Sequence, residues 1–297
     1  MSNNVCENVP ARVPKKRSRL AEIWRQLKKN KGAITGLVII ALLVILAIGA
    51  EFALDYDTDV IGPNYEERLE GPSSEHWFGT DDYGRDVLSR ILYGARYSLM
   101  IGVVAVIVSL AIGVTLGSIA GFFGGVVDNV IMRIADIFIS IPSILLSMAF
   151  ISAWGQTMFN LMVAVGLCSA AAFTRVARAS VMTERGKDYV EAARAIGATD
   201  LQIIFKHVLP NSLAPIIVQA TMRVAGAIIS AASLSFLGLG VPIPMPEWGT
   251  MLSASRRFMR DSAYLTMFPG LAIMITVLSF NLLGDGLRDS IDPKLKR

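Results

Sequence analysis

Residues 188–211 read DYVEAARAIGATDLQIIFKHVLPN, a polar, helix-forming segment that lies between long apolar runs. Glu191, Ala192 and Ala193 begin this segment, and alanine and glutamate are strong helix formers. Gly197 follows and interrupts the pattern, because glycine ends helices and permits tight turns. The segment therefore predicts a short helix followed by a turn.

A second short helix is predicted from Asp200 to Val208, with Thr199 or Asp200 as its N-cap. Pro210 is expected to end it, because proline restricts the residue before it to extended conformations. The result is a helix–turn–helix with small residues on one side. Such a surface suits docking into a groove on another protein, but these features alone fit an ordinary interhelical connection equally well.

The runs around this segment have the length and composition of membrane spans. The chain of 297 residues is 53% hydrophobic and only 18% charged. Roughly 20 apolar residues cross a hydrocarbon layer of about 30 Å, so a run of this length without charges is a span candidate. A soluble domain does not need several of them. Runs of this kind include Gly32–Ala50, Tyr97–Val127, Ile137–Thr174 and Ser262–Gly284.

The apolar pattern predicts an all-α membrane protein with six transmembrane helices. Gly113, Gly117 and Gly121 recur at four-residue spacing, which lets another helix approach closely. Pro142 predicts a kink in the third span. The predicted spans are Gly32–Leu54, Tyr97–Gly121, Val130–Ile151, Met158–Arg178, Ser212–Gly238 and Tyr264–Gly284.

Charge orients these spans by the positive-inside rule. The basic tail before the first span places the N-terminus in the cytoplasm, and its position beside an apolar run favours this over nucleic-acid binding. Residues 55–86 are rich in carboxylates, as expected outside the cell, whereas 188–211 and its flanks are basic and belong inside. Residues 240–263 should lie outside although they include three arginines, a local exception. Arg19–Lys31 is predicted as an interfacial helix whose apolar face is Leu20, Ile23, Trp24 and Leu27.

Catalytic and metal-binding patterns are absent from the sequence. The only Gly-Lys pair, Gly186-Lys187, lacks the preceding glycine and the following Ser or Thr of a phosphate-binding loop. Cys6 and Cys168 lie far apart, and the two histidines are isolated, so no metal site is predicted. We therefore expect no catalytic residue, no metal and no cofactor.

Arg223 is the one charge well inside a predicted span. A charged side chain at bilayer depth is costly, and it usually faces a cavity or a partner. Arg223 could line a translocation path and attract a substrate carboxylate. A structural ion pair and a contact with a partner subunit are the alternatives.

The 188–211 segment resembles the EAA pattern of permease subunits in bacterial ABC importers, on Glu191, Ala192, Ala193, Gly197, Leu209 and Pro210. His207 stands where the family usually has isoleucine, and this substitution resembles the dipeptide/oligopeptide branch. The acidic loop and short C-terminal tail resemble the "C"-type permease of a pair. Further patches similar to that branch are His76–Asp81, Gly84–Val87, Tyr93–Arg96, Gly124–Asp128, Ser235–Gly240, Trp248-Gly249, Gly284–Asp289 and Asp292-Pro293.

The resemblance implies a type I ABC importer permease fold with a cytoplasmic coupling helix, in the inner membrane of a bacterium. Its implied partners are a second, homologous permease in a heterodimer, two ATPase subunits on the cytoplasmic face and an extracytoplasmic binding protein. It also implies that ATPase coupling falls on Glu191–Gly197 and His207, with Leu209 and Pro210 holding the geometry. The implied substrates are di- and oligopeptides; nickel, glutathione and other small solutes belong to the same family.

The sequence divides into consecutive regions with both termini in the cytoplasm. Two other classes stay open: a secondary transporter with its own midplane site, disfavoured by the lack of an evident inverted repeat, and a non-transporting scaffold or sensor. The regions are a basic tail with interfacial helix (1–31), the first span (32–54), an acidic extracytoplasmic loop (55–96), the permease domain (97–290, with its EAA loop at 188–211) and a cytoplasmic tail (291–297).

Overall fold

A computed structural model of the chain describes residues 19–291, and in that range the fold is helical. The helices are α1 (Arg19–Leu27), α2 (Lys31–Ala53), α3 (Val87–Phe123), α4 (Gly125–Ser140), α5 (Ser143–Trp154), α6 (Met158–Arg185), α7 (Asp188–Ala195), α8 (Asp200–Gln202), α9 (Leu209–Leu234), α10 (Trp248–Ser255) and α11 (Tyr264–Ile291). A π-helical turn, Ile203–Val208, joins α8 to α9, and another, Ser235–Leu239, follows α9.

Five helical stretches in the described range are long and apolar enough to cross a membrane: α2, α3, α6, the continuous stretch Asp200–Leu239 and α11. The pair α4 and α5 provides a sixth crossing if it forms one bent span. The predicted all-α membrane fold is therefore confirmed. The predicted basic tail before residue 19, most of the predicted C-terminal tail, and the side chain of Leu20 lie outside the described residues.

The kink predicted at Pro142 is confirmed, and its angle is large enough to divide the span into two separate helices. The axes of α4 and α5 differ by 91°. Ile141 has an extended backbone (ψ 130°), because the proline ring excludes the helical conformation from the residue before it. The third predicted span is thus two helices, and the first of them begins at Gly125 rather than Val130.

The break predicted at Pro210 is wrong, since the chain is helical without a gap from Asp200 to Leu234. In the π-helical turn before α9, the N–H of Leu209 bonds to the carbonyl of Ile204. Pro210 is the second residue of α9 and follows directly on this π-helical turn, so the wider turn accommodates a residue that has no N–H. The 188–211 segment and the following span are therefore one continuous element.

Helix α3 also begins earlier than the predicted span, at Val87 rather than Tyr97. Asp86 caps the helix: its Oδ1 accepts a hydrogen bond of 2.7 Å from the N–H of Ser89. Arg90, in the first turns, is buried and donates to the backbone of the preceding loop at 2.8 Å. The polar start of α3 thus belongs structurally to the loop between α2 and α3.

Helices α3 and α6 form the closest pair in the core. A Cβ added at Gly117 would lie 2.5 Å from the carbonyl oxygen of Thr174, and one at Gly121 would lie 2.7 Å from that of Arg178. Only glycine permits this separation, so the predicted close approach is confirmed. The main hydrophobic cluster lies around this pair and includes Ile101, Leu161, Phe173, Ile228 and Leu234.

Two ion pairs join α4 to α6. Asp128 is buried, with 8% of its surface exposed, and both of its carboxylate oxygens accept from the guanidinium of Arg178. Asp136 pairs with Arg175 at 2.6 Å, and both of these side chains are about half exposed. The bent helix pair is therefore fastened to α6 by one shielded and one exposed pair.

The α2–α3 loop, residues 54–86, is folded against the start of α11. The Tyr264 hydroxyl lies 2.9 Å from the carbonyl oxygen of Glu70 and 3.0 Å from that of Thr80. The rings of Phe78 and Phe268 stack with centroids 3.9 Å apart. The loop has little regular secondary structure, and these contacts hold it against α11.

His76 connects the middle of this loop to its end. Its Nε2 lies 3.0 Å from a carboxylate oxygen of Glu67, and its Nδ1 lies 3.0 Å from one of Asp86. Burial alone lowers the pKa of His76, but the hydrogen bonds and charges of the two carboxylates outweigh it, and the pKa is raised. The doubly protonated ring is the form that donates to both.

Candidate coupling segment

The turn predicted at Gly197 is confirmed as the end of α7. Gly197 has a φ of +85°, and its N–H donates to the carbonyl of Arg194 at 3.0 Å. The N–H of Ala198 donates to the carbonyl of Ala193 at 3.1 Å. This pair of bonds is the Schellman arrangement, which needs a left-handed residue between helix and loop. Glycine takes that conformation without steric cost.

Thr199 is the N-cap of the next helix. Its backbone N–H donates to Oε1 of Gln202 at 3.0 Å, and the N–H of Gln202 donates back to Oγ1 of Thr199 at 3.4 Å. This reciprocal capping box fixes where α8 starts. Of the two caps that the sequence allowed, Thr199 takes the role, and Asp200 lies 3.9 Å from Arg194 across the turn.

One face of the 188–211 segment is packed against the ends of α3 and α6. The buried side chains of this face share a single hydrophobic cluster with Phe122 of α3 and Val181 of α6. Their burial holds the turn as a rigid body against the two helices of the core pair. The members contributed by the segment are Val190, Ala193, Ile203, Ile204 and Val208.

Polar contacts fix the entry to the segment. Arg185, at the end of α6, donates to the carbonyl oxygens of Gly121 and Phe122 at 2.9 and 3.0 Å and so caps the end of α3. The Tyr189 hydroxyl donates to Glu184 at 2.7 Å. Burial, together with that carboxylate, raises the pKa of Tyr189 to about 12, so the hydroxyl stays a donor at neutral pH.

The opposite face leaves large apolar side chains uncovered. Ile196 is 86% exposed, and Leu201 and Phe205 are each 63% exposed. They lie on the turn and on the first turns of the helical stretch after it. Their signal in the sequence is the presence of apolar residues in a polar segment, at positions that do not match its buried face. A rigid segment with an exposed apolar face can bind another protein.

The predicted coupling residues divide between the two faces. Glu191, Ala192 and Gly197 are exposed, whereas Ala193 is buried in the cluster with Phe122. The first three are therefore available to a partner. Ala193 instead contributes to holding the segment on its own chain.

The remaining predicted residues lie at the start of the long helix. His207 is half-buried, and its carbonyl oxygen accepts from Nδ2 of Asn211 at 2.7 Å. Leu209 is half-buried and Pro210 is exposed. These positions follow the exposed apolar face along the chain, where the π-helical turn passes into α9.

Arg223 lies on α9, away from the 188–211 segment, and its side chain is half-buried. Among residues 19–291 it has no hydrogen bond and no ion pair. The guanidinium group of Arg223 therefore lies within a membrane span, and no described side chain neutralises its charge.

Two family models match the chain. One, described as the binding-protein-dependent transport system inner membrane component, matches residues 113–297. The other, the N-terminal TM domain of oligopeptide transport permease C, matches residues 18–72.

Curated relatives match over nearly the whole chain. The dipeptide transport system permease protein DppC of Alkalihalophilus pseudofirmus is 49% identical over 93% of this chain and 90% of its own length. The glutathione transport system permease protein GsiD of Pectobacterium atrosepticum is 46% identical over 93% and 91%. The di/tripeptide transport system permease protein DppC of Pseudomonas aeruginosa is 43% identical over 99% of both chains.

The fold has a solved counterpart. A chain of the MetNI methionine ABC transporter, in an inward-facing conformation, superposes with a TM-score of 0.56. It is 20% identical, and the match covers 68% of this chain and 96% of that one. The helical core therefore has the permease fold of a type I ABC importer, as the resemblance implied.

Proposed function

This chain belongs to the family of binding-protein-dependent transport system inner membrane components, the permease subunits of ABC importers, and we propose that it forms half of a pore that imports short peptides. The second half is a homologous permease, separate ATPase subunits drive the pore, and an extracytoplasmic binding protein delivers the peptide. Peptides are favoured because relatives at 49% and 43% identity are named as dipeptide and di/tripeptide permeases.

The exposed apolar face of Ile196, Leu201 and Phe205 carries the proposal that ATPase subunits bind here. Covering such side chains is favourable in proportion to the apolar area removed from water. Glu191 and Ala192 are exposed beside this face, and Gly197 forms the turn between α7 and α8. The coupling role proposed for the predicted residues thus extends to the three apolar side chains.

Continuity of the helical stretch from Asp200 to Leu234 suggests how a movement at the docking face reaches the pore. A force on Phe205 acts on the same helical stretch that packs against α3, α6 and α11. No flexible joint at Pro210 absorbs the displacement. We infer that ATPase closure tilts this helix as a unit, and that Pro210 and Leu209 keep the joint helical.

The proposed orientation places the 188–211 segment and both termini in the cytoplasm of a bacterium. The α2–α3 loop and the connection between α9 and α11 then lie outside the inner membrane. A reporter fused after Leu252 tests this arrangement, because an extracytoplasmic signal is expected there. A cytoplasmic signal would contradict the six-span order.

Arg223 is proposed to face the translocation path and to attract the carboxylate of a passing peptide. Its half-buried position and its lack of a partner within residues 19–291 support this role. A carboxylate on the partner permease would meet the same charge, and replacing the arginine distinguishes the two because only a pore role changes substrate preference.

The proposed function is tested with the complete complex in proteoliposomes, with binding protein outside and ATP inside. Uptake of a radiolabelled dipeptide should require both. Gly197→Asp should abolish uptake while the permease still reaches the membrane, because it places a charged side chain on the docking turn. Gly197→Asn is the matched control: asparagine adopts the left-handed conformation about as readily as aspartate and adds similar bulk without charge.

Wild-type uptake by Gly197→Asp, with ATPase subunits retained in normal amount, would contradict the coupling role. Glutathione is the second candidate substrate, because a glutathione permease is 46% identical. Competition between unlabelled glutathione and the dipeptide for uptake decides between them.

A further inference from the structure

A cavity of about 510 Å³ lies at the far end of the molecule from the 188–211 segment. The α2–α3 loop forms one wall, and the end of the long helix, with Ser235 and Gly238, forms another. The third wall comes from α10 and the short turn after it, including Arg257. Since Ser235 ends the same continuous helix that carries Phe205, the cavity and the docking face occupy opposite ends of one element.

Most charges around the cavity are already paired. Asp81 accepts from Arg85 at 2.7 Å and lies 3.5 Å from Arg90, and both arginines are buried. This trio contributes to the fold of the loop. One carboxylate is shared by two guanidinium groups, so the trio keeps a net positive charge that is held in buried side chains.

Two charges on the cavity wall are not paired. Asp82 is half-buried and Arg257 is exposed, and within the described part of the chain neither forms an ion pair. Burial and the neighbouring charge of Asp81 raise the pKa of Asp82, partly offset by Arg85 and Arg68. A cation near Asp82 would therefore relieve an unfavourable environment.

The wall also holds an unused hydrogen-bonding group. Ser235 is buried, and its Oγ has no hydrogen-bond partner among residues 19–291. Buried hydroxyls without a partner are uncommon because losing water costs free energy. This hydroxyl lies within the cavity wall, so the two unpaired charges are the polar groups that a ligand can reach.

We propose that this cavity binds a short zwitterionic peptide on the permease itself, with Asp82 at the α-ammonium end and Arg257 at the α-carboxylate end. The volume lies within the range of small-ligand sites, roughly 300–1,000 Å³. Apolar side chains such as Val87, Met251 and Leu265 complete the wall and accept peptides of varied sequence. The assignment rests on the proposed peptide import and adds a receiving site between binding protein and pore.

Thiol protection tests the site in the assembled complex of both permeases and the ATPase subunits, without binding protein. Ala254, which lines the cavity and has no polar side chain to lose, is replaced by cysteine after Cys6→Ser and Cys168→Ala. A thiol reagent is added with or without the dipeptide Ala-Phe, and labelling of this subunit is followed by mass spectrometry. Ser74→Cys, exposed on the α2–α3 loop and outside the cavity, is the control.

Ala-Phe should slow labelling of the cysteine at 254 severalfold and leave the cysteine at 74 unaffected. N-acetyl-Ala-Phe-amide, which has neither charge, should not protect. Asp82→Asn should weaken the protecting affinity about tenfold, and the exposed Arg257→Gln about threefold. Asp82→Asn should leave N-acetyl-Ala-Phe unaffected, and Arg257→Gln should leave Ala-Phe-amide unaffected.

Equal protection by the doubly capped peptide would overturn the charge assignment. Absence of protection by Ala-Phe, in a complex that imports Ala-Phe when binding protein and ATP are added, would overturn the site while the proposed function stands. Failure of the complete system to import any dipeptide would instead overturn the peptide function on which the site rests.

Discussion

Replacing Ile196 and Phe205 with serine should weaken binding of the ATPase subunits without destabilising the permease. A fully buried large apolar side chain contributes roughly 1.5–3 kcal/mol. Because Ile196 is 86% exposed and Phe205 is 63% exposed, docking can still bury most of each. Scaling by those fractions gives about 1.3–2.6 kcal/mol for Ile196 and about 1–2 kcal/mol for Phe205. Together they should raise the Kd roughly 40- to 2,000-fold.

The permease alone should tolerate the double variant. Side chains that are already exposed lose little on truncation, about 0.5 kcal/mol or less. The assay measures the amount of ATPase retained on the purified permease pair, the Kd of added ATPase for permease in nanodiscs, and dipeptide uptake. Phe159→Ser is the matched control, since Phe159 is 70% exposed but lies at the other end of α6.

The expected pattern is a lower ATPase retention and lower uptake in the double variant, with thermal stability and membrane yield like those of Phe159→Ser. Unchanged Kd and uptake would refute docking on this face. A fall in thermal stability that matches the loss of binding would also refute it, because the side chains would then act within the permease.

Three further predictions concern other parts of the chain. Asp128→Asn removes the shielded ion pair between α4 and α6 and should lower the free energy of unfolding by about 1.5–3 kcal/mol. Asp136→Asn removes the exposed pair and should lower it by only about 0–1 kcal/mol, as measured by thermal unfolding. Equal effects of the two substitutions would contradict the difference in shielding. Because the pKa of His76 is raised in the folded protein, its stabilisation of the α2–α3 loop is present in acid and is lost as pH rises through that pKa. Hydrogen exchange of residues 65–86, corrected for the intrinsic pH dependence of exchange, should therefore become faster from pH 6 to 8.5. In His76→Gln the corrected exchange should not depend on pH. Arg223→Met should reduce uptake of acidic peptides more than that of neutral ones with the complex intact, and full uptake with unchanged selectivity would exclude the pore role.

Several features of this protein follow from consecutive residues alone. Long apolar runs with few or no charges predicted the spans, and each predicted span falls on a described helical stretch, with α4 and α5 as the bent third. Gly197 predicted the turn, because a left-handed residue is a local requirement that glycine meets. Gly117 and Gly121 predicted the close approach of α3 to another helix, although which helix was not encoded in their spacing.

The sequence predicted a candidate coupling segment, but not which of its side chains are buried and which are exposed. The EAA pattern located residues 188–211, but Ala193 is buried and Ile196 is exposed, the reverse of what small and large apolar residues suggest. Burial here depends on Phe122 and Val181, which are distant in sequence and come near only when α3 packs on α6. Local helix signals contain no information about that neighbour.

Pro210 shows the same division. A proline usually ends a helix, and the sequence gives no sign that a π-helical turn before it lets the helix continue. The cavity likewise joins Asp82, Ser235 and Arg257 from three separate parts of the chain. Sequence determined where this chain crosses the membrane and where it turns, since those depend on runs of neighbouring residues. Tertiary packing decided which side chains stay uncovered, because exposure is set by residues that only the fold brings together.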